Sequence, residues 1–277
     1  MWAGGHDVGA PVTWVKVLAS FVAIAVAAGA AWWFWLGPGI APPASACPAA
    51  ERAEIVGSDV AFQPTVAWQL ADRSFTYALE GAIFVTGAAI QWLRDGLDII
   101  DEAAQAGPLA ASVADTGGVY VVPAFTGLGS PWWDPYARGA VVGITRGTTR
   151  AHLTRAVVEA MAYQTRDVVS AMVAASGTPI TDLRVDGGAS AMDVMLQMQA
   201  DQLGVPVRRP VDQETTALGA AFLAGLAEGV WPNLASIAAR WELDATFTPA
   251  DDRTIADLAH SQWLRAVERS RDWEREH

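Results

Sequence analysis

Cysteine, lysine and histidine are scarce in this 277-residue sequence, and each scarcity excludes a class of site. Cys47 is the only cysteine, so no disulfide can form within the chain, and four scattered histidines do not supply the clustered ligands of a zinc site. Lys16 is the only lysine among 18 basic residues, which face 30 acidic ones and leave a net charge of −12. A chain this acidic disfavours nucleic-acid binding, because phosphate backbones are held by basic surfaces.

Charged residues as a whole are also few, at 17%, whereas hydrophobic residues make up 52% of the sequence. This balance excludes a disordered chain and predicts a well-buried core within one large or two small domains. Together with the acidic charge, it favours an enzyme of small metabolites over a nucleic-acid-binding protein, and the single cysteine indicates a cytoplasmic location for the folded part.

The segment from Val17 to Leu36 is apolar and carries no charge. About 20 apolar residues can cross a bilayer as a helix, and Trp32, Trp33 and Trp35 are placed like an interfacial aromatic belt. The segment therefore predicts a membrane anchor. A removed or vestigial targeting segment and a chance apolar translation from a misplaced start or frameshift are the alternatives.

We divide the chain into three parts. Residues 1–36 form an N-terminal segment with the predicted membrane-spanning helix over 17–36, and residues 37–64 form a linker rich in proline and alanine. Residues 65–277 form the folded domain, and they are expected to hold the functional site.

The folded domain alternates predicted strands with predicted helices. It opens with a hairpin of Thr65–Leu70 and Phe75–Leu79, since Asp72 and Arg73 between them are a turn signal. The elements expected after it are a helix Ile83–Leu97, a strand Val119–Val122, a loop over 124–138, a strand Gly139–Ile144, a helix from Arg150 to Ala175 closed by Gly177, a strand Leu183–Val185, a helix with Met192, Leu196, Ala200 and Leu203 on one face, a strand Val205–Val207, and a helix from Thr215 or Thr216 to Gly225. This alternation predicts an α/β domain with a layered sheet.

The most informative local pattern is LRVDGGASAMDVMLQ, residues 183–197. A buried strand delivers Gly187 and Gly188 to the start of a helix, where glycines allow close approach of a ligand to free N–H groups and to the positive end of the helix dipole. A nucleotide could lie on this glycine turn. The alternative is a tight turn whose glycines satisfy backbone geometry alone.

Five longer segments carry a family resemblance. They are TYALEGAIFVTGAAIQWLRD (76–95), VYVVPAFTGLGSPWWDPYARGAVVGITRGT (119–148), EAMAYQTRDVV (159–169), RVDGGAS (184–190) and TTALGAAFLAGL (215–226). In this order they resemble glycerol kinases of the FGGY carbohydrate kinase family. The resemblance covers about three quarters of the chain, and Gly139 to Glu159 fits the family's second signature.

This resemblance implies an α/β fold of the actin-like ATPase (ribonuclease H-like) type, of which this chain would be the second domain. It implies ATP and Mg²⁺ as cofactors, glycerol or a similar polyol as substrate, and a place in glycerol and carbohydrate metabolism in the cytoplasm. Gly87 and Gln91 match positions near the ATP phosphates, and Gly188, beside Gly187, matches a nucleotide contact. The metal ligands stay unassigned.

Met192 departs from the family, because glycerol kinases usually have an asparagine at the matching position. A methionine can pack against a purine but offers no useful donor, so adenine selectivity is in doubt. Gly87 could instead permit close helix packing, and Gln91 could be a solvated residue. Asp186 could act on magnesium through water or could cap the following turn.

Two other motifs are assigned to scaffold rather than to chemistry. Trp132 and Trp133 could stack on a sugar, but a tryptophan pair between prolines more often packs a long loop onto its own domain. His152 is expected to be a cap or a surface residue and not a base.

The equipment for phosphoryl transfer is incomplete in this sequence. The family's phosphate loop of D-Q-G-T type has no counterpart in residues 1–64, and its catalytic aspartate lies in a G-D-Q motif that does not occur here. Neither Asp59 nor Asp212 has the right context to replace it. We therefore expect no catalytic residue here and an incomplete glycerol kinase, a fragment inactive alone. The alternatives are a membrane-tethered nucleotide-binding or regulatory module and one half of a split kinase that pairs with a separate N-terminal half.

Overall fold

The computed structural model describes residues 16–19, 63–69 and 75–274 of the chain. Its strands are β1 (Lys16–Ala19), β2 (Gln63–Gln69), β3 (Phe75–Ile83), β4 (Tyr120–Val122), β5 (Ala140–Val142), β6 (Leu183–Arg184), β7 (Val207–Pro210) and β8 (Leu243–Phe247). Its α-helices are α1 (Gly87–Gln91), α2 (Ala106–Ala111), α3 (Arg150–Ser176), α4 (Asp193–Leu203), α5 (Thr215–Ala227), α6 (Leu234–Ala238) and α7 (Thr254–Ser270). A π-helix (Trp92–Gly96) and two 3₁₀ helices (Ala103–Gln105 and Gly188–Ala191) complete them.

The first sheet has the strand order β1-β3-β2. Strands β2 and β3 form the antiparallel hairpin that the sequence predicted, with Gln63 opposite Glu80 and an irregularity between Val66 and Trp68. Strand β1 pairs in parallel with the other edge of β3, so that Ala19 lies opposite Ile83. The hairpin prediction is confirmed.

The predicted transmembrane helix over 17–36 is wrong at its beginning. Val17, Leu18 and Ala19 lie in β1, where they pair with β3. A short apolar run can form a strand or part of a helix, and its sequence alone does not separate the two. Residues 20–36 and the linker up to residue 62 lie outside the described residues. Within the described ranges, no helix combines the length and the hydropathy that a bilayer crossing needs. The three-part division of the chain stays a prediction.

The helix predicted over Ile83–Leu97 begins later than expected. Strand β3 continues to Ile83, and α1 begins only at Gly87. The π-helix Trp92–Gly96 follows α1 directly. The sequence from Ile83 to Thr86 has no turn residue, and periodicity alone does not separate a buried strand from a buried helix in so short an apolar run.

Helix α3 is the centre of the main core. It begins with a capping box in which the Thr149 and His152 side chains each bond the other's backbone, and it ends at Gly177 with φ of 66°. The expected apolar face is confirmed, since Val157, Met161, Val168 and Met172 are all buried. His152 is thus a capping residue, as the sequence predicted.

Strands β4 and β5 form an antiparallel pair that is closed by the loop 124–138. The buried Asp134 carboxylate accepts hydrogen bonds from the backbone N–H groups of Tyr136, Ala137 and Asp272, which ties the loop to the end of α7. Trp132 packs against the core beneath β4, and the ring of Trp133 meets Phe84 edge-on. The tryptophan pair therefore packs its own domain, as expected.

The third sheet positions the glycine turn. Strand β6 pairs in parallel with β7, which pairs in antiparallel fashion with β8. The predicted strand over 205–207 lies instead at 207–210. Helix α4 crosses from the end of the turn and packs on α3 through the buried Leu196 and Ala200.

Candidate nucleotide-binding site

The glycine turn begins where β6 ends. The N–H of Val185 donates to the carbonyl of Arg208, which extends the strand pairing to the edge of the turn. Gly187 then has φ of 79°, a left-handed value that side-chain-bearing residues rarely adopt. The 3₁₀ helix Gly188–Ala191 follows and leads directly into α4. The strand, glycine turn and helix unit expected from the sequence is therefore present.

A second turn, over residues 212–215, fixes the glycine turn from the side. The N–H of Gly187 donates to the carbonyl of Gln213 at 2.8 Å, and the hydroxyl of Thr215 donates to the Asp186 carboxylate. Thr215 is the first residue of α5. These contacts give Asp186 a structural role toward Thr215 rather than in the turn that follows it, and its effect on a magnesium ion stays a hypothesis.

The outer side of the glycine turn is open. A Cβ atom added to Gly187 or to Gly188 would meet no other atom within 4 Å, and Gly188 is exposed. Behind it, Ser190 is buried and its hydroxyl donates back to the Gly187 carbonyl at 2.7 Å. Gly188 therefore leaves space for a ligand to approach the backbone, beside the N-terminus of α4.

Arg209 holds the far side of this turn. Its guanidinium donates to the Ser190 carbonyl at 3.0 Å and pairs with Asp193 at 2.7 Å and with Asp244 at 2.6 Å. The hydrogen bonds that Arg209 donates to the carboxylates of Asp193 and Asp244 raise its pKa above the ordinary value. Asp193 lies in the first turn of α4, where a negative charge also interacts favourably with the helix dipole.

Met192 lies between the 3₁₀ helix and α4. Its half-buried side chain packs against Gly107 of α2, so closely that a Cβ on that glycine would lie 3.0 Å from the Met192 Cγ. It also borders the core cluster that contains Ala106 and Ala110. The position offers a ligand a thioether and a methyl group rather than a hydrogen-bonding group.

Gly87 and Gln91 lie on α1, apart in sequence from the glycine turn. A Cβ on Gly87 would meet no atom within 4 Å, so close packing among the described residues does not require this glycine. Gln91 is exposed. The buried Ala89 and Ile90 of the same helix belong to the core cluster that Val185, Ala189 and Met192 pack against. The structure thus places α1 and the glycine turn on one core.

Sequence reasoning missed three participants. The sequence pattern identifies Thr215 only as a possible start of a helix, and it does not identify Gln213 or Gly107. The contacts of Thr215 and Asp186 join residues 29 positions apart, and no local pattern indicates them. Gly107 precedes Pro108 in α2 and is buried, which only the structure shows. Among the described residues, no three histidine, cysteine, aspartate or glutamate side chains cluster as a metal site.

Comparisons with known proteins agree on one family. Residues 55–228 match the model of the C-terminal domain of the FGGY family of carbohydrate kinases. The chain is 57% identical to the glycerol kinase of Symbiobacterium thermophilum over 218 residues, 79% of this chain and 44% of that protein. It is 50% identical to glycerol kinase 2 of Saccharolobus solfataricus over 211 residues, 76% of this chain and 42% of that protein.

A solved structure adds a likeness in three dimensions. The crystal structure of Plasmodium falciparum glycerol kinase with ADP matches with a TM-score of 0.71 and 32% identity, over 78% of this chain and 43% of that one. The chain spans less than half the length of the curated relatives that it matches.

Proposed function

Because this chain belongs to the FGGY family of carbohydrate kinases, we propose that it carries the nucleotide-binding side of a kinase that phosphorylates glycerol. The fold is accordingly α/β, that of the second domain of an actin-like ATPase, as the sequence predicted. The observation that carries the proposal is the open glycine turn at Gly187 and Gly188, held by Gln213 and Thr215 at the N-terminus of α4.

Five residues make up the proposed nucleotide site: Gly87, Gln91, Gly187, Gly188 and Met192. The backbone at Gly188 and the positive end of the α4 dipole suit an anionic ligand. Gly87 is the first residue of α1, and a Cβ atom added to it would likewise meet no atom within 4 Å. ATP or ADP is the proposed ligand, with Mg²⁺ as the accompanying ion that kinases of this family use. ADP in the Plasmodium falciparum enzyme supports this choice of ligand. Use of ATP also agrees with a cytoplasmic location.

Transfer to glycerol needs groups beyond this sequence. A general base must take the hydroxyl proton, and preorganised groups on both sides of the nucleotide must stabilise the transferred phosphoryl group. No Gly-Asp-Gln motif occurs in the sequence. We therefore propose that this polypeptide binds nucleotide by itself and does not transfer the phosphoryl group, and that the glycerol contacts lie mainly outside it.

Calorimetric titration of the full chain with ADP tests this proposal. The variant Gly188→Ala adds a methyl group where no protein atom lies within 4 Å, so the fold should persist while the ligand loses its approach. We expect saturable binding that this substitution weakens by about tenfold or more, because backbone donors act only at close range.

The matched control is Gly147→Ala, since Gly147 is also exposed and its added Cβ would make only an ordinary contact at 3.7 Å. This variant should bind ADP like the unsubstituted chain. The same preparation should form no glycerol 3-phosphate from ATP, Mg²⁺ and glycerol. Absence of ADP binding would refute the nucleotide assignment, and rapid turnover would refute the proposed need for further groups.

A further inference from the structure

A cavity of about 300 Å³ lies where the π-helix, the loop 124–138 and the β4–β5 strand pair meet. Strands β4 and β5 contribute valine and alanine residues to its lining, and Trp92, Phe125, Arg138 and Gly139 contribute the rest. Among the described residues that line it, none belongs to the proposed nucleotide site. A mainly apolar cavity of this size with a single charged group is typical of a site for a small molecule.

Two aromatic rings meet in this cavity. The ring centroids of Trp92 and Phe125 lie 5.1 Å apart, and the ring planes are inclined at 58°. Each ring lies against a glycine, since a Cβ atom added to Gly96 would lie 2.7 Å from the Trp92 Cδ1 atom and one added to Gly139 would lie 3.1 Å from the Phe125 Cδ1 atom. Both rings are half-buried and packed in place, so an aromatic ligand can contact them without the cost of ordering them.

Arg138 is the charged residue of the lining. Its guanidinium donates to the carbonyls of Pro135 at 2.9 Å and Ala137 at 2.7 Å, which fix its position on the loop, and it pairs with the Glu274 carboxylate. This pair is exposed to solvent, with 34% of the Arg138 side chain and 57% of the Glu274 side chain accessible, and exposed ion pairs are weak. The carboxylate of a ligand can therefore replace Glu274 at little cost, and a guanidinium binds a carboxylate through two parallel hydrogen bonds.

From these rings and this charge we propose that the cavity binds a small aromatic carboxylate. The ligand ring lies against Trp92 and Phe125, and its carboxylate accepts hydrogen bonds from Arg138. A neutral aromatic molecule lacks the charge that Arg138 recognises, and a short aliphatic acid lacks the ring contacts. Both should therefore bind less tightly than a molecule that combines the two groups.

Ligand-detected NMR titration of the full chain with phenylacetate, phenylacetamide and acetate tests the proposal. We expect saturable binding of phenylacetate with a dissociation constant in the millimolar range or below, as is usual for a ligand of this size. Phenylacetamide should bind about fivefold more weakly or less, because it keeps the ring and lacks the charge. Acetate should show no saturable binding.

Two variants locate the ligand. Arg138→Met keeps the aliphatic chain and removes the charge, so phenylacetate should then bind only as tightly as phenylacetamide, whose own binding should not change. Phe125→Leu removes a ring and keeps an apolar side chain, so it should weaken the binding of both molecules.

Arg240→Met is the matched control, because Arg240 is exposed and stacks over Trp231, outside the lining of this cavity. This variant should bind both molecules like the unsubstituted chain. No saturable binding of phenylacetate, or equal affinity of the unsubstituted chain for the acid and the amide, would overturn the proposal. Phenylacetate binding that neither Arg138→Met nor Phe125→Leu changes would also overturn it, because the ligand would then lie elsewhere.

Discussion

The ionisation of Glu159 depends on its surroundings in the core. It lies on α3, where burial raises the pKa of its carboxyl group, although hydrogen bonds from Tyr163 and Arg155, both at 2.9 Å, partly oppose this. Burial likewise raises the pKa of the Tyr163 hydroxyl, which therefore stays protonated as a donor. Arg155 also donates to the Val113 carbonyl and so joins α3 to the loop after α2.

This environment predicts how stability depends on pH. Since the folded-state pKa of Glu159 is raised, its favourable contribution is complete below the ordinary value of 4.5 and is lost as the pH rises through the folded-state value. Urea unfolding of the unsubstituted chain and of Glu159→Gln at several pH values measures this contribution as the difference between their free energies of unfolding. We expect the chain to lose stability relative to the variant as the pH rises above 4.5.

Glu228→Gln serves as the control, because Glu228 is exposed at the end of α5. The difference in free energy of unfolding between Glu228→Gln and the unsubstituted chain should vary less with pH. A constant difference for Glu159→Gln across the range, or one that changes in the opposite direction, would contradict the burial of an ionisable carboxyl group at this position.

At the scale of single residues, the sequence predicted which positions have a left-handed backbone better than it predicted which side chains are in contact. Gly187 and Gly177 were expected at turns and do have left-handed φ values. A glycine requirement is local, so a local pattern can indicate it. The bond between Thr215 and Asp186 and the packing of Met192 on Gly107 depend on how distant elements meet, and spacing along the chain carries no such information.

Helices α4 and α5 show how elements with similar sequence patterns differ in the fold. Both were predicted as helices that follow a strand. Helix α4 buries Met195, Leu196 and Ala200 against α3, whereas no residue of α5 is buried. Leu196 is fully buried, and Leu223 on α5 is 44% exposed. An apolar composition alone therefore did not determine which helix is part of the core.

Truncation of a leucine to alanine should thus lower the free energy of unfolding by different amounts on the two helices. Leu196→Ala should lower the free energy of unfolding by about 2–5 kcal/mol, because it leaves a cavity in the core. Leu223→Ala should cost less than about 1 kcal/mol, because half-exposed side chains lose little on truncation. Urea denaturation of the two variants gives both values. Equal costs would mean that the exposed side of α5 is covered in the native protein.

Element boundaries were predicted less well than the elements themselves. The β2–β3 hairpin, α3 and the strand before the glycine turn are present where turn residues or helical periodicity indicated them. The start of α1 was wrong by four residues, from Ile83 to Gly87, and residues 17–19 are in a strand. In both cases a short apolar run satisfied the pattern of more than one element, and sheet pairing decided the outcome.

At the scale of the whole molecule, the family was predictable because long segments of the chain resemble it in order. The actin-like type of the fold followed from that resemblance, whereas the glycine turn followed from the local pattern over 183–197, and both agree with the structure. The proposed function depends on one physical condition, that the turn at 186–188 and α1 share a core and face a bound nucleotide. The sequence alone could not show the shared core, since α1 and the turn are about a hundred residues apart.

Hydrogen exchange of the full chain with and without ADP tests this condition most directly, because bound ligands slow the local openings that expose backbone amides. We predict slower exchange in the glycine turn over 185–192, in the supporting turn over 212–215 and in α1, with little change in α7. Unchanged exchange over 185–192 at saturating ADP, or slowing confined to α7, would contradict the account.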